Sequence, residues 1–143
     1  MEWKEALPLV QDNHTGVAVS ITPKGRAQAT VVSTAVLDGK VGFASRPHTV
    51  KEKNIRRTGR ATVTVIKLDT RRFVTVEGPV SIEPWQDTPA HIKRLKDFYV
   101  SMGRVPKGTD EDCAKQRRDA PRSLSLVTPE RLYGSICSND WGL

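Results

Sequence analysis

Residues 29–54 read ATVVSTAVLDGKVGFASRPHTVKEKN. A Thr/Val-rich run ends at Asp38-Gly39, a pair whose residues tolerate the left-handed backbone that a two-residue hairpin needs, and a second run follows from Lys40 to Ala44. Pro47 breaks that run. Thr49-Val50-Lys51-Glu52 then forms a capping box, in which the Thr49 hydroxyl accepts from the amide of Glu52 and the Glu52 carboxylate reaches back to the amide of Thr49. Strand, tight turn and strand thus feed directly into the capped helix, and the first free amides of the helix point back toward the preceding strand.

The charge in this region is one-sided. Between Phe43 and Arg60 the chain carries Arg46, Lys51, Lys53, Arg56, Arg57 and Arg60 against a single acid, Glu52. Lys51 falls in the first helical turn, where the positive end of the helix dipole disfavours a cation, and an anion placed there would remove the conflict. Backbone amides, the hydroxyls of Ser45 and Thr49, and the cations Arg46, His48 and Lys51 suit a phosphate ester, which offers several acceptor oxygens. A short, solvated surface helix is the other reading of the same charges.

Outward from this unit, residues 2–11 predict a short helix with Trp3, Leu7 and Val10 as its apolar positions. Residues 16–22 alternate, with Val17, Val19 and Ile21 on one face, and stop at the turn sequence Pro23-Lys24-Gly25. Arg26 to Leu37 forms the second strand. After the helix, Ala61–Leu68 and Phe73–Glu83 alternate and are joined by residues 69–72. Gly78-Pro79 inside the latter predicts a bulge or an edge, because proline cannot donate to a strand ladder. Thr88 to Met102 returns to helical spacing, with Ile92, Leu95, Tyr99 and Met102 on one stripe. A polar loop over 103–112, a short helix over 112–119 and closing strands at 122–128 and 131–136 complete the chain. The expected fold is mainly β with inserted helices: one domain, residues 1–143, holding a split antiparallel barrel of about seven strands and about two to four short helices.

Composition bounds the function. The 143 residues include 23 Lys+Arg against 16 Asp+Glu, a formal net charge of +7, which implies an anionic partner. The two cysteines, Cys113 and Cys137, have no metal-ligand spacing, so no metal site is expected. The N-terminus has neither a basic start nor a long apolar run, which predicts a cytoplasmic protein that does not enter the membrane. No Ser-His-Asp order or nucleophilic cysteine context stands out, and no catalytic residue is assigned. His48 is placed near the phosphate, and His14 and His91 on the surface.

The order of hairpin, third strand with an F-x-S tail, basic helix with K-x-x-N, and T-V-x-V strand resembles the split β-barrel flavin- and deazaflavin-binding proteins. These form the pyridoxamine 5'-phosphate oxidase-like superfamily, and the likeness is to its branch of F-420-dependent oxidoreductases. It runs from about Gly16 to Glu83. The resemblance implies that Ala29, Thr30, Val31 and Val32 lay their backbone along the cofactor ring. It implies that Ser45, Arg46, His48, Thr49 and Lys51 hold the phosphate, with Asn54 completing the K-x-x-N pair and Arg56 beside it. Many relatives have an arginine two residues before that lysine. This chain has Thr49 there, and Arg46 is the substitute.

It also implies a homodimer with the cofactor at the interface, and Trp85, Tyr133 and Trp141 as candidates to cover the ring from the partner subunit. The implied function is hydride transfer between coenzyme F-420 and a planar conjugated small-molecule substrate. The alternatives are FMN as cofactor or a binding and carrier role on the same fold. The track of Lys51, Lys53, Arg56, Arg57, Arg60, Arg71 and Arg72 favours F-420, whose tail carries several glutamates. A nucleic-acid-binding barrel is a remote alternative, since the strands carry few aromatic residues for stacking bases.

Overall fold

A computed structural model of the chain describes residues 1–137. In order, the elements are α1 (Trp3–Asp12), β1 (Thr15–Ile21), β2 (Ala27–Leu37), β3 (Lys40–Ser45), α2 (Val50–Thr58), β4 (Arg60–Lys67), β5 (Arg72–Glu83), α3 (Pro89–Ser101), α4 (Asp110–Asp119), β6 (Ser123–Val127) and β7 (Arg131–Ser135). Every strand pairing is antiparallel. Six strands close a ring in the order β1-β2-β3-β6-β5-β4, and β7 adds alongside β5. The barrel with inserted helices is therefore as expected, and closure leaves few open strand edges.

The β2–β3 hairpin turns on Asp38 and Gly39 at φ 54° and 70°, the left-handed pair that matches the twist of the flanking strands. On β1 the alternation holds, with an outcome that periodicity alone does not specify. Gly16, Ala18 and Ser20 point inward, while Val17, Val19 and Ile21 lie on the outer face, Ile21 44% exposed. The interior is filled from the facing strands by Val41, Phe43, Val63, Val65, Val74 and Val76, so β1 contributes small residues where the barrel is narrow. Helix α1 adds Ala6 and Val10 to this core with Trp3 and Leu9 packed against it, so Leu9 takes the packing role expected of Leu7.

Helix α3 covers the other side. It starts at the Thr88 cap and buries His91, Leu95 and Phe98 in a second core with Ala35, Leu124 and Leu126 on the outer faces of β2 and β6. The surface assignment of His91 is corrected here. Its ring is 6% exposed, its Nε2 lies 2.9 Å from the Arg122 carbonyl, and its edge meets Trp85 at 5.5 Å. His14 is likewise half-buried, with Nδ1 2.9 Å from the Thr34 carbonyl. An imidazole combines an apolar body with a polar tip, and a waiting carbonyl makes its burial affordable. Arg94 fastens α3 to the barrel through Glu83 on β5 at 2.8 Å and Asp38 in the hairpin at 2.7 Å.

Gly78-Pro79 neither ends β5 nor puts it on an edge. The strand runs on, pairing with β4 through Pro79 and with β6 from Val80, so the dipeptide sits at the corner where β5 changes partner. A Cβ on Gly78 would lie 1.9 Å from the Thr128 carbonyl oxygen. Gly78→Ala is therefore expected to cost about 3 kcal/mol, at the upper end for overpacking. A fall in the urea midpoint at unchanged m-value would show it. Among the described residues no helix is long and apolar enough to cross a membrane.

Candidate functional site

Two features of the backbone define the site. First, β2 pairs with β1 from Ala27 to Ser33 but with β3 only from Thr34 to Leu37. The pairing with β3 ends at Thr34↔Phe43 while β3 pairs with β6 on its other side, so among the described residues the amides and carbonyls of residues 27–33 that face away from β1 have no strand partner. This open edge is the split in the barrel. Ala29 and Val31 point outward beside it, Val31 72% exposed, while Thr30 and Val32 point inward and Val32 is buried.

Second, the chain leaves β3 through Arg46, Pro47 and His48 before α2 begins. His48 is exposed and holds φ at 65°, a left-handed conformation that strains a residue with a side chain. What holds it there is Glu52. The Thr49 hydroxyl accepts from the Glu52 amide at 3.2 Å, as a cap should. The Glu52 carboxylate, however, accepts from the His48 amide at 2.8 Å, one residue earlier than the capping box predicts. It also pairs with Arg56 at 3.1 Å. Burial alone would raise the Glu52 pKa, but hydrogen bonds from the Ser123 hydroxyl, the His48 amide and Arg56 outweigh it and leave the pKa lowered. The protein's own carboxylate thus answers the positive end of α2.

Lys51 does not point to solvent. It is 8% exposed, and its ammonium lies 5.7 Å from the centroid of the Phe43 ring inside the barrel. No ion pair to it occurs among the described residues. Desolvation lowers its pKa, as expected of a cation without a counter-charge. On the same inward face as Phe43, two residues along β3, the buried Ser45 hydroxyl lacks a hydrogen-bond partner among the described residues, as does the Thr34 hydroxyl on β2. Such groups cost free energy until something satisfies them.

The other expected residues divide. Asn54 is buried beside Lys51 on the inner face of α2, but it is engaged: its amide donates to the Ser20 hydroxyl at 3.1 Å and its carbonyl accepts from Arg57. Arg57 also bonds the Ile21 carbonyl, and Arg60 pairs with Glu130 at 2.8 Å. Of the basic track, Arg56, Arg57 and Arg60 are therefore tied to the protein, whereas Lys53 and Arg71 are exposed without an ion pair among the described residues. Trp85 packs into the α3 core. Tyr133 stands 47% exposed on the outer face of β7, with the Arg131 guanidinium 5.4 Å from its ring centroid. Trp141 lies outside the described residues. Glu52 and Phe43 were not singled out as site residues from sequence. The first reads as a cap and the second as a strand hydrophobe, and only their convergence on Lys51 and His48 marks them.

The sequence pattern of pyridoxamine 5'-phosphate oxidase matches residues 3–135. Among curated proteins none matches significantly. Solved structures do. A conserved hypothetical protein of Mycobacterium tuberculosis superposes with a TM-score of 0.72 at 24% identity, covering 94% of this chain and 84% of that one. A protein described as an F420 reductase gives 0.63 at 22%, covering 88% and 94%. An FMN-binding, pyridoxamine 5'-phosphate oxidase-related protein of Nostoc punctiforme gives 0.66 at 15%, covering 94% and 84%. At these identities the likeness is one of fold.

Proposed function

The chain belongs to the pyridoxamine 5'-phosphate oxidase family, and from that premise we propose that it is an oxidoreductase binding a flavin-type cofactor, with coenzyme F-420 preferred. The observation that carries this reading is Lys51, a cation buried over Phe43 without a counter-charge among the described residues, with the Ser45 hydroxyl, two residues along β3 from Phe43, also lacking a partner there. A phosphate is the group that would satisfy both. The residues present fit such a cofactor. Lys51, Ser45, Arg46 and the strained His48 turn hold the phosphate, Thr49 shapes that turn, and the unpaired edge of Ala29–Val32 supplies amides and carbonyls for the polar rim of the ring. When bound, the cofactor supplies the hydride chemistry. The protein fixes the ring against β2 and leaves its other face for a planar conjugated substrate.

The preference for F-420 rests on Lys53 and Arg71, exposed and without an ion pair among the described residues, which extend the positive field toward a tail of several carboxylates, and on the F420 reductase of like fold. FMN is the second reading. It is favoured by the engagement of Arg56, Arg57 and Arg60, which leaves a compact set of free cations suited to one phosphate. Titration of the purified protein with each cofactor, followed by fluorescence, separates them. F-420 is expected to saturate at micromolar levels, at least tenfold tighter than FMN. The reverse order replaces F-420 by FMN, and binding of neither removes the oxidoreductase reading. Binding without hydride transfer to any acceptor points to a carrier.

The outer faces of β1, β2 and β7 carry Val17, Val19, Ile21, Val31 and Tyr133, and Ile21, Val31 and Tyr133 are exposed there. We assign this surface to a second copy of the chain, which would enclose the cofactor between subunits. A sedimentation mass of twice 15.9 kDa is the expected result.

A further inference from the structure

Helices α3 and α4 meet loosely. No residue of α4 is buried, and a cleft of about 390 Å³ opens between α4, α3 and the loop that joins them. None of the residues lining this cleft belongs to β2, β3 or α2. Its charge is one-sided. Arg104, Lys107, Arg117 and Arg122 line it, and none of the four has a carboxylate partner among the described residues; Lys96, at the rim, pairs with Asp110 at 3.3 Å.

The cations are also organised. The guanidinium of Arg117 lies 4.8 Å from the Tyr99 ring centroid and that of Arg104 lies 5.3 Å from it, so one half-buried aromatic ring holds both in place. Arg122 is half-buried and fixed through a hydrogen bond to the Pro121 carbonyl at 2.8 Å. Val105, 80% exposed, adds an apolar wall. Favourable placement of basic residues at the C-terminal end of α4 accounts for Arg117 alone. It does not account for the convergence of Arg104, Lys107 and Arg122, from other segments, on the same cavity.

We propose that the α3–α4 cleft is a second ligand site, distinct from the cofactor site, for a small organic anion with a flat apolar body and a phosphate or carboxylate group. The volume lies in the range of small-molecule pockets. Preorganised guanidiniums suit oxyanions in paired geometry, and Tyr99 with Val105 supplies surface for a planar body. An anion here removes the mutual repulsion of four converging cations, so ligand binding also draws α4 onto α3.

The test is calorimetric titration of the full chain with 1-naphthyl phosphate, inorganic phosphate and 1-naphthol. Naphthyl phosphate is expected to bind saturably, at least tenfold tighter than inorganic phosphate, with no saturable binding of naphthol. The double variant Arg104→Gln/Arg117→Gln should lose at least tenfold in affinity for naphthyl phosphate while its F-420 titration stays unchanged. Arg118→Gln, on the same helix but paired with Asp87, should match the wild type in both. Equal affinities for naphthyl phosphate and inorganic phosphate would overturn the proposal, as would an unaffected double variant, which would place the ligand elsewhere, for instance in the cofactor site. Displacement of the probe by a single-stranded oligonucleotide at lower concentration, with affinity growing with length, would overturn it in favour of an extended polyanion.

Discussion

Lys51→Met is expected to raise the unfolding midpoint of the cofactor-free protein while weakening cofactor binding at least a hundredfold. The two effects have one cause. In the free protein the ammonium is buried against Phe43 with no counter-charge among the described residues, and an apolar side chain of similar length relieves that desolvation. In the proposed complex the same ammonium would pair with the cofactor phosphate, and deleting one partner of a buried ionic contact costs about 2–5 kcal/mol, of which a hundredfold is about 2.7. The pH dependence has a matching sign. Burial depresses the Lys51 pKa below its ordinary 10.5, so between the depressed value and 10.5 the unfolded chain binds more protons than the folded one. Stability therefore rises with pH across that window in the wild type, and this contribution is absent from the variant. Chemical denaturation from neutral to alkaline pH, with and without F-420, measures both. A parallel loss of stability and affinity would instead make Lys51 a packing residue, held by its cation–π contact.

The elements of this fold were legible because their punctuation is local. Asp38-Gly39 and Thr49 with Glu52 determine a turn and a helix start within a few residues, and the structure has both, although the Glu52 half of the expected capping box goes to His48 instead of Thr49. What sequence could not supply was orientation. Alternation places Val17, Val19 and Ile21 together, but only barrel closure decides that the smaller set, Gly16, Ala18 and Ser20, faces inward. The histidines failed for a similar reason: the carbonyls of Arg122 and Thr34 that receive His91 and His14 come from 31 and 20 residues away in the chain. At the candidate site the excess of basic residues was visible, and its division was not. Whether an arginine is free or committed depends on tertiary partners such as Glu130 for Arg60, which no local pattern identifies. Lys51 was singled out for a conflict with the helix dipole. The structure gives a stronger reason, since the side chain is buried.

Glu52→Ala is expected to cost about 2–4 kcal/mol of stability and to lower cofactor affinity although Lys51 remains. A hydrogen bond to a charged group contributes about 1.5–3 kcal/mol, and the Glu52 carboxylate accepts from the His48 amide and from Arg56 within a nearly solvent-free setting, being 4% exposed. The bond to His48 is what holds that residue at φ 65°. Without it the turn relaxes toward ordinary backbone, and Arg46 would lose the position proposed for it beside the phosphate. Acid titration gives an independent signature. Since the folded-state pKa of Glu52 lies below its ordinary 4.5, its stabilisation is fully present above 4.5 and is lost as pH falls through the folded value. The wild type should therefore lose stability below pH 4.5 more steeply than Glu52→Ala, so that the two approach each other in strong acid. A constant gap between them at every pH would mean that the ionised carboxylate is not what holds the turn, and the account of the strained His48 would have to be given up.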